Sequence, residues 1–198
     1  MTKPAPDLSA LIGSRICHDL VSPLGAIGNG VELLGMSQSP SPELDLISES
    51  VTHALARIRM FRLAFGAVRG EQRISGREIA SILDGLGKGG KISFEWSMPT
   101  ELPRREAKLL LLLMQCCESA MAWGGVMTLD HAAQDWQITA RAPRLRLEAA
   151  LWEPLTSGTS PDNPRPSEVH FALVPSMLTA TGRRLDVATT EEEIRLTL

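Results

Sequence analysis

The 198-residue chain carries 43 % hydrophobic and 22 % charged residues, the composition of a globular protein able to bury a core. Its net charge of −3 offers no basic footprint for DNA or RNA, and 4 % aromatic residues without a tyrosine leave few platforms for stacking bases or sugars. Cys17, Cys116 and Cys117 lack metal-ligand spacing and fit a reducing compartment; with no apolar run near the ~18 residues of a spanning helix, a cytoplasmic protein without membrane or nucleic-acid partners is expected.

After a Pro-containing lead at residues 1–7, apolar residues recur at Leu8, Leu11, Ile12, Ile16, Leu20, Leu24, Ile27, Val31 and Leu34. Steps of three and four predict a helix with one buried stripe, ending near Gly35. At ~100° per residue His18 lies nearly opposite that stripe and faces outward. Small or polar residues share its face: Ser14, Ser22, Gly25 and Asn29. A second protein can therefore approach the imidazole closely. Pro23 has no N–H for the carbonyl of Asp19, which loosens the helix within a turn of the histidine.

Neutral imidazole is nucleophilic near physiological pH and forms covalent intermediates. Asp19, next to His18, can accept a hydrogen bond from the ring, fix its tautomer and stabilise positive charge that builds as a P–N bond forms, as the carboxylate of a catalytic triad does in another reaction. His18 is thus a candidate phosphoryl acceptor and Asp19 the residue that orients it.

Met36–Pro42 reads as a short loop, and a second apolar series follows at Leu44, Ile47, Val51, Leu55, Ile58, Phe61, Phe65 and Val68. So short a loop predicts an antiparallel helical hairpin. Two helices cannot cover both stripes, and a homodimer pairing two hairpins into a four-helix bundle would. Ser50, His53 and Arg57 lie off the second stripe and are candidate contacts for a partner protein at His18.

The glycine-rich junction Gly66–Gly76 marks the expected boundary between domains 1–70 and 71–198. Beyond it the pattern predicts a short helix capped by Ser75, a Gly-rich turn at 85–90, a strand over 91–97 and an apolar helix over 104–123 opened by Pro103. A hairpin of 126–129 with 136–140, a short element at 145–152, a loop at 156–167, a helix over 168–181 stopped by Gly182 and a closing hairpin of 184–188 with 194–198 complete an α+β sandwich. The glycines at 85–90 lack the Lys-Ser/Thr of a phosphate loop. Adjacent Cys116 and Cys117 point in different directions on a helix, so they read as buried thiols rather than as metal ligands with His131.

His-Asp-Leu-Val-Ser-Pro-Leu-Gly-Ala-Ile at 18–27 resembles the phosphoacceptor box of two-component histidine kinases. Its continuation Ile-Gly-Asn-Gly-Val-Glu-Leu at 27–33 is similar to ChpT-type histidine phosphotransferases of alphaproteobacteria. The likeness is strong over residues 8–70 and weak afterwards. It implies a dimerisation and phosphotransfer hairpin followed by a degenerate Bergerat-type ATPase-like domain. In that family context the helix at 104–123 offers Gln115, Glu118 and Ser119 where kinases carry Mg²⁺-ATP-ligating asparagines, and no Asp-x-Gly-x-Gly loop is present. Glu168 and His170 fall where kinases place glycines against the phosphates, so ATP binding is expected to be lost.

The resemblance implies a His-Asp relay with no cofactor of its own, the Mg²⁺ sitting in the partner receiver domain. The donor would be the receiver of a hybrid kinase of the CckA kind, and the acceptors response regulators of the CtrA and CpdR kinds. Only residues 1–17 precede His18, without room for an input domain, which fits a relay component. A compact ATP-dependent histidine kinase and a non-catalytic receiver-docking scaffold are the alternatives.

Overall fold

The computed structural model describes residues 8–198 apart from 38, 40, 69, 133 and 134. The Pro-containing lead and those five positions lie outside the described residues. The chain divides into two compact units, residues 1–70 with 81–90, and residues 71–80 with 91–198.

In the first unit, helix α1 (Leu8–Ser37) runs through Pro23 and is followed by α2 (Pro42–Phe65), which carries Pro42 in its first turn and Glu43 and Asp45 where the helix dipole favours acid. A Cβ placed on Gly66 would stand 3.2 Å from Ser14 Oγ, and one on Gly28 3.4 Å from Val51 Cγ1. These contacts fix an antiparallel register. Ala10 and Cys17 are buried, and Leu11, Val21, Leu24 and Val31 half-buried. Together with Ser14 and Gly28 they form a seam with coiled-coil spacing against α2.

The expected single buried stripe is therefore two faces. Ile12, Ile16, Leu20, Ile27 and Leu34 remain 45–60 % exposed. Periodicity marks all of these residues as apolar but does not separate those facing α2 from those facing away.

Helix α3 (Gly76–Gly87) has Ser75 as its cap, the Ser75 Oγ accepting from the Glu78 N–H at 3.2 Å. Residues 76–80 group with the second unit and 81–87 with the first, so residues 81–90 group with the helical hairpin rather than with 71–198. In the first unit α3 approaches α2 closely: a Cβ on Gly85 would stand 2.7 Å from the Ala56 Cβ. Gly85→Ala will therefore lower the urea midpoint of unfolding. Overpacking there costs ~1–3 kcal/mol, which outweighs the ~1 kcal/mol alanine gains in helix propensity; a raised midpoint would refute the close packing.

The second unit is a mixed α/β fold. Strand β1 (Arg73–Ser75) pairs antiparallel with β3 (Glu101–Pro103), two short strands that the sequence pattern did not reveal. The main sheet has the order β2-β4-β5-β7-β6, with β2 (Ile92–Trp96) parallel to β4 (Gly125–Ala132) and the others antiparallel: β5 (Asp135–Arg141), β6 (Asp186–Thr189) and β7 (Glu193–Thr197). Helix α4 (Arg104–Ala120) makes the crossover from β2 to β4, as parallel pairing requires.

Residues 107 to 117 of α4 are all buried, so the expected apolar helix is a core helix. Beside it in sequence order come α5 (Ala149–Thr156), which starts four residues later than the expected element, and α6 (Val169–Thr181), packed on α4 and closed by Gly182 in the left-handed conformation at φ 67°. One sheet face, with Met127, Leu129, Trp136, Ile138, Ala140, Ile194 and Leu196, is buried. The alternating positions, such as Glu95, Asp130, Arg141 and Arg195, are polar and exposed. Among the described residues, no helix is long and apolar enough to cross a membrane.

Candidate functional site

His18 stands on α1 about a quarter-turn from the α2 seam and nearly opposite the exposed apolar face, given ~100° per residue. Its side chain is 80 % exposed. Nδ1 lies 3.1 Å from Asp19 Oδ1, and Arg15 Nε donates to Asp19 Oδ2 at 2.7 Å. The hydrogen bonds from His18 and then from Arg15 hold the Asp19 carboxyl below its ordinary range, so it is ionised. An ionised carboxylate only accepts, so the Nδ1 facing it carries a proton, and in the neutral ring this leaves the lone pair on Nε2. Asp19 thus meets the ring as the sequence predicts, and Arg15 joins them; its spacing of four residues from Asp19 is the signal that could have found it.

The other sequence-predicted residues divide. Ser22, Gly25 and Asn29 share the His18 face of α1; Ser22 and Asn29 are exposed. Ser14 is half-buried instead, its hydroxyl donating to the Ala10 carbonyl at 2.8 Å beside Gly66. The α1–α2 register sets His18 level with Arg62 and His53 level with Ile27, nine residues, or ~14 Å, along the hairpin. Ser50 lies farther still, its hydroxyl on the Leu46 carbonyl at 2.7 Å. His53 Nδ1–H donates to the Lys88 carbonyl at 3.2 Å. Arg57 lies over the Phe61 ring at 6.0 Å. Cys17, adjacent to His18 but buried on the seam, has its thiol pushed up by burial, with the Arg62 charge acting the other way.

In the second unit two polar residues of α4, Gln115 and Ser119, bond carbonyls of their own helix. The Gln115 side-chain amide donates to the Leu111 carbonyl at 3.1 Å and the Ser119 hydroxyl to Cys116 at 2.7 Å. At the start of α6, Glu168 Oε2 accepts from the Arg165 N–H at 2.8 Å and Oε1 from Arg165 Nε at 2.5 Å. These residues do not fit a nucleotide phosphate: the helix start already holds a buried carboxylate. Cys116 and Cys117 are buried with their thiols pushed up, that of Cys117 to about 12, and His131 packs at a tilt against Trp136, their ring centroids 4.3 Å apart. Among the described residues, no group of three His, Cys, Asp or Glu could hold a metal ion.

His170, the other residue at that helix start, is buried beside Phe171 with Nε2 lacking a protein partner. Burial pushes its pKa down to about 4, with the charges of Glu118 and Glu168 opposing. The folded state therefore binds this proton later than the unfolded chain, whose histidine titrates near 6.5. Stability is intact above pH 6.5 and falls as pH drops towards 4. Wild type will lose ~2 kcal/mol more than His170→Leu between pH 7 and 4.5 in urea titrations; parallel losses would refute the assignment.

Residues 76–193 match the family profile of the histidine phosphotransferase C-terminal domain. The chain belongs to the histidine phosphotransferase family. It is 31 % identical over 204 residues to protein phosphotransferase ChpT of Brucella abortus, covering 98 % of this chain and 96 % of that one. A solved bacterial phosphotransferase, 28 % identical, superposes with a TM-score of 0.68 over 100 % of this chain and 98 % of that chain. The protein is thus a histidine phosphotransferase that relays phosphoryl groups in two-component signalling, built as a helical region followed by a mixed α/β domain.

Proposed function

We propose that His18 is the phosphorylated residue of this phosphotransferase and that Nε2 is the attacking atom. The observation that carries this reading is the Nδ1 to Asp19 hydrogen bond on an open helix face. The Nε2 lone pair attacks the phosphorus of a receiver's aspartyl phosphate in line. The N–P bond forms as the P–O bond breaks, and the aspartate leaves with the electron pair as a carboxylate. Positive charge created on the ring is held at Nδ1–H against Asp19. The reverse step delivers the group to a second receiver.

Phosphoryl transfer asks for in-line positioning and charge neutralisation more than for covalent chemistry by the protein. The receiver supplies Mg²⁺ and the aspartate, and this chain uses no ATP. By family, the donor is the receiver of a hybrid kinase of the CckA kind and the acceptors are regulators of the CtrA and CpdR kinds, met in the cytoplasm. Ser22, Gly25 and Asn29, sharing the His18 face, are the proposed receiver contacts nearest the imidazole. Ser14 at the seam, with Arg57, His53 and Ser50 farther along α2, would meet only a partner that reaches down the hairpin. The exposed apolar face of α1 supports a homodimer with a four-helix bundle, and the division at residues 70/71 remains our functional partition.

The test mixes the full chain with a receiver carrying labelled phosphate, beside an ATP-only arm. Acid-labile, alkali-stable label on the chain in the first arm alone supports the reading. Label from ATP alone would make the protein a kinase, and label in neither arm a docking scaffold.

A further inference from the structure

We infer that Arg15 is a positioning residue for phosphoryl transfer, acting on His18 through Asp19; the inference rests on the reading of His18 as the phosphorylated residue. The three side chains ascend one face of α1 at positions i, i+3 and i+4, so their backbone spacing brings them together. The two carboxylate oxygens of Asp19 are divided between them, Oδ2 accepting from Arg15 Nε at 2.7 Å and Oδ1 facing His18 Nδ1 at 3.1 Å. The Asp19 side chain is 49 % exposed and Arg15 77 %.

On so open a surface a carboxylate with one partner rotates freely among staggered conformers and exchanges that partner for water. Arg15 anchors the second oxygen, which keeps the first aimed at Nδ1. That bond selects the tautomer with Nε2 unprotonated, the form able to attack. Arg15 also has an electrostatic effect. A lone carboxylate beside the nucleophile repels an incoming phosphoryl group, whereas the Arg15–Asp19 pair presents no net charge to it. An exposed i, i+4 ion pair contributes little to folding, so its removal leaves the helix in place.

The test uses the full chain with ¹⁵N-labelled histidine and compares wild type, Arg15→Ala and Arg15→Lys. Ring nitrogen shifts of His18 at pH 8 report the tautomer without any phosphotransfer. Single-turnover transfer from a labelled receiver reports the maximal rate and the receiver concentration at half-maximal rate. Wild type will be mainly the Nδ1–H tautomer; Arg15→Ala will move towards a mixture and lose roughly 10-fold in maximal rate. Arg15→Lys, which keeps the charge but not the fork, will recover part of both.

An unchanged tautomer ratio and rate in Arg15→Ala would overturn the inference. So would a rise in half-maximal receiver concentration at constant maximal rate and tautomer, which would assign Arg15 to receiver contact. His18→Ala is run alongside. If it still accepts label, the phosphoacceptor reading fails; if it does not and Arg15→Ala matches wild type, only the role of Arg15 fails.

Discussion

His18→Ala will accept no label from a phosphorylated receiver, while Asp19→Ala will accept it about 100-fold more slowly than wild type. The difference follows from what each side chain contributes. In the proposed reaction the imidazole supplies the electron pair that forms the N–P bond, and the nearby alternatives are poor nucleophiles: Cys17 is turned into the α2 seam with its thiol pushed up by burial, Ser14 points back at the Ala10 carbonyl, and the exposed Ser22 carries an un-ionised hydroxyl. Asp19 supplies only tautomer selection and charge, so its loss leaves a slower nucleophile. Asp19→Asn will be slower than Asp19→Ala, because an amide N–H can donate to Nδ1 and drive the proton onto Nε2. Label recovered on His18→Ala, or an Asn variant as fast as wild type, would remove the mechanism. Single-turnover assays with acid and alkali quenches read all three variants.

Much of this arrangement is legible in the sequence. The apolar spacing of three and four predicts both long helices. The residues from His18 to Ile27 mark the proposed site, and the Gly182 stop and the two expected hairpins, β4–β5 and β6–β7, fall where alternation and turn residues put them. What is not legible has physical causes. Strands β1 and β3 hold one buried apolar residue each, Ile74 and Leu102, and their pairing is long-range, so no local period announces them. Helix α5 begins at Ala149 and carries Pro154 within it, against propensity, because Leu151, Trp152 and Leu155 are buried. The Gly-rich run at 85–90 reads as a turn, yet α3 continues to Gly87, since Gly85 admits close approach to Ala56. Arg15 is visible as an i, i+4 partner of Asp19, but spacing does not say that Asp19 divides its oxygens between arginine and histidine. That takes the rotamers.

Wild type will sediment as the proposed homodimer, and Ile16→Glu combined with Ile27→Glu will make it a monomer, raising its dissociation constant at least 1,000-fold. Both isoleucines sit on the α1 face turned away from α2, at 55 % and 51 % exposure, in line with Ile12, Leu20 and Leu34. A helix surface this apolar is expected to be covered in solution. A two-fold axis makes each substitution count twice, so four isoleucines leave the interface. Finishing the burial of a half-exposed isoleucine is worth ~1 kcal/mol, and four such losses come to ~4 kcal/mol, or about 10³-fold in affinity. Four carboxylates facing one another across the seam add desolvation and repulsion to that figure. Sedimentation velocity over a concentration series reads the outcome directly. A hairpin deprived of its partner keeps only the α1–α2 seam and the packing of α3 on α2 for a core, so the monomer will also lose helical signal at 222 nm on warming before the second unit unfolds. Wild type sedimenting as a monomer, or the double variant remaining a dimer, would place the function of this face elsewhere.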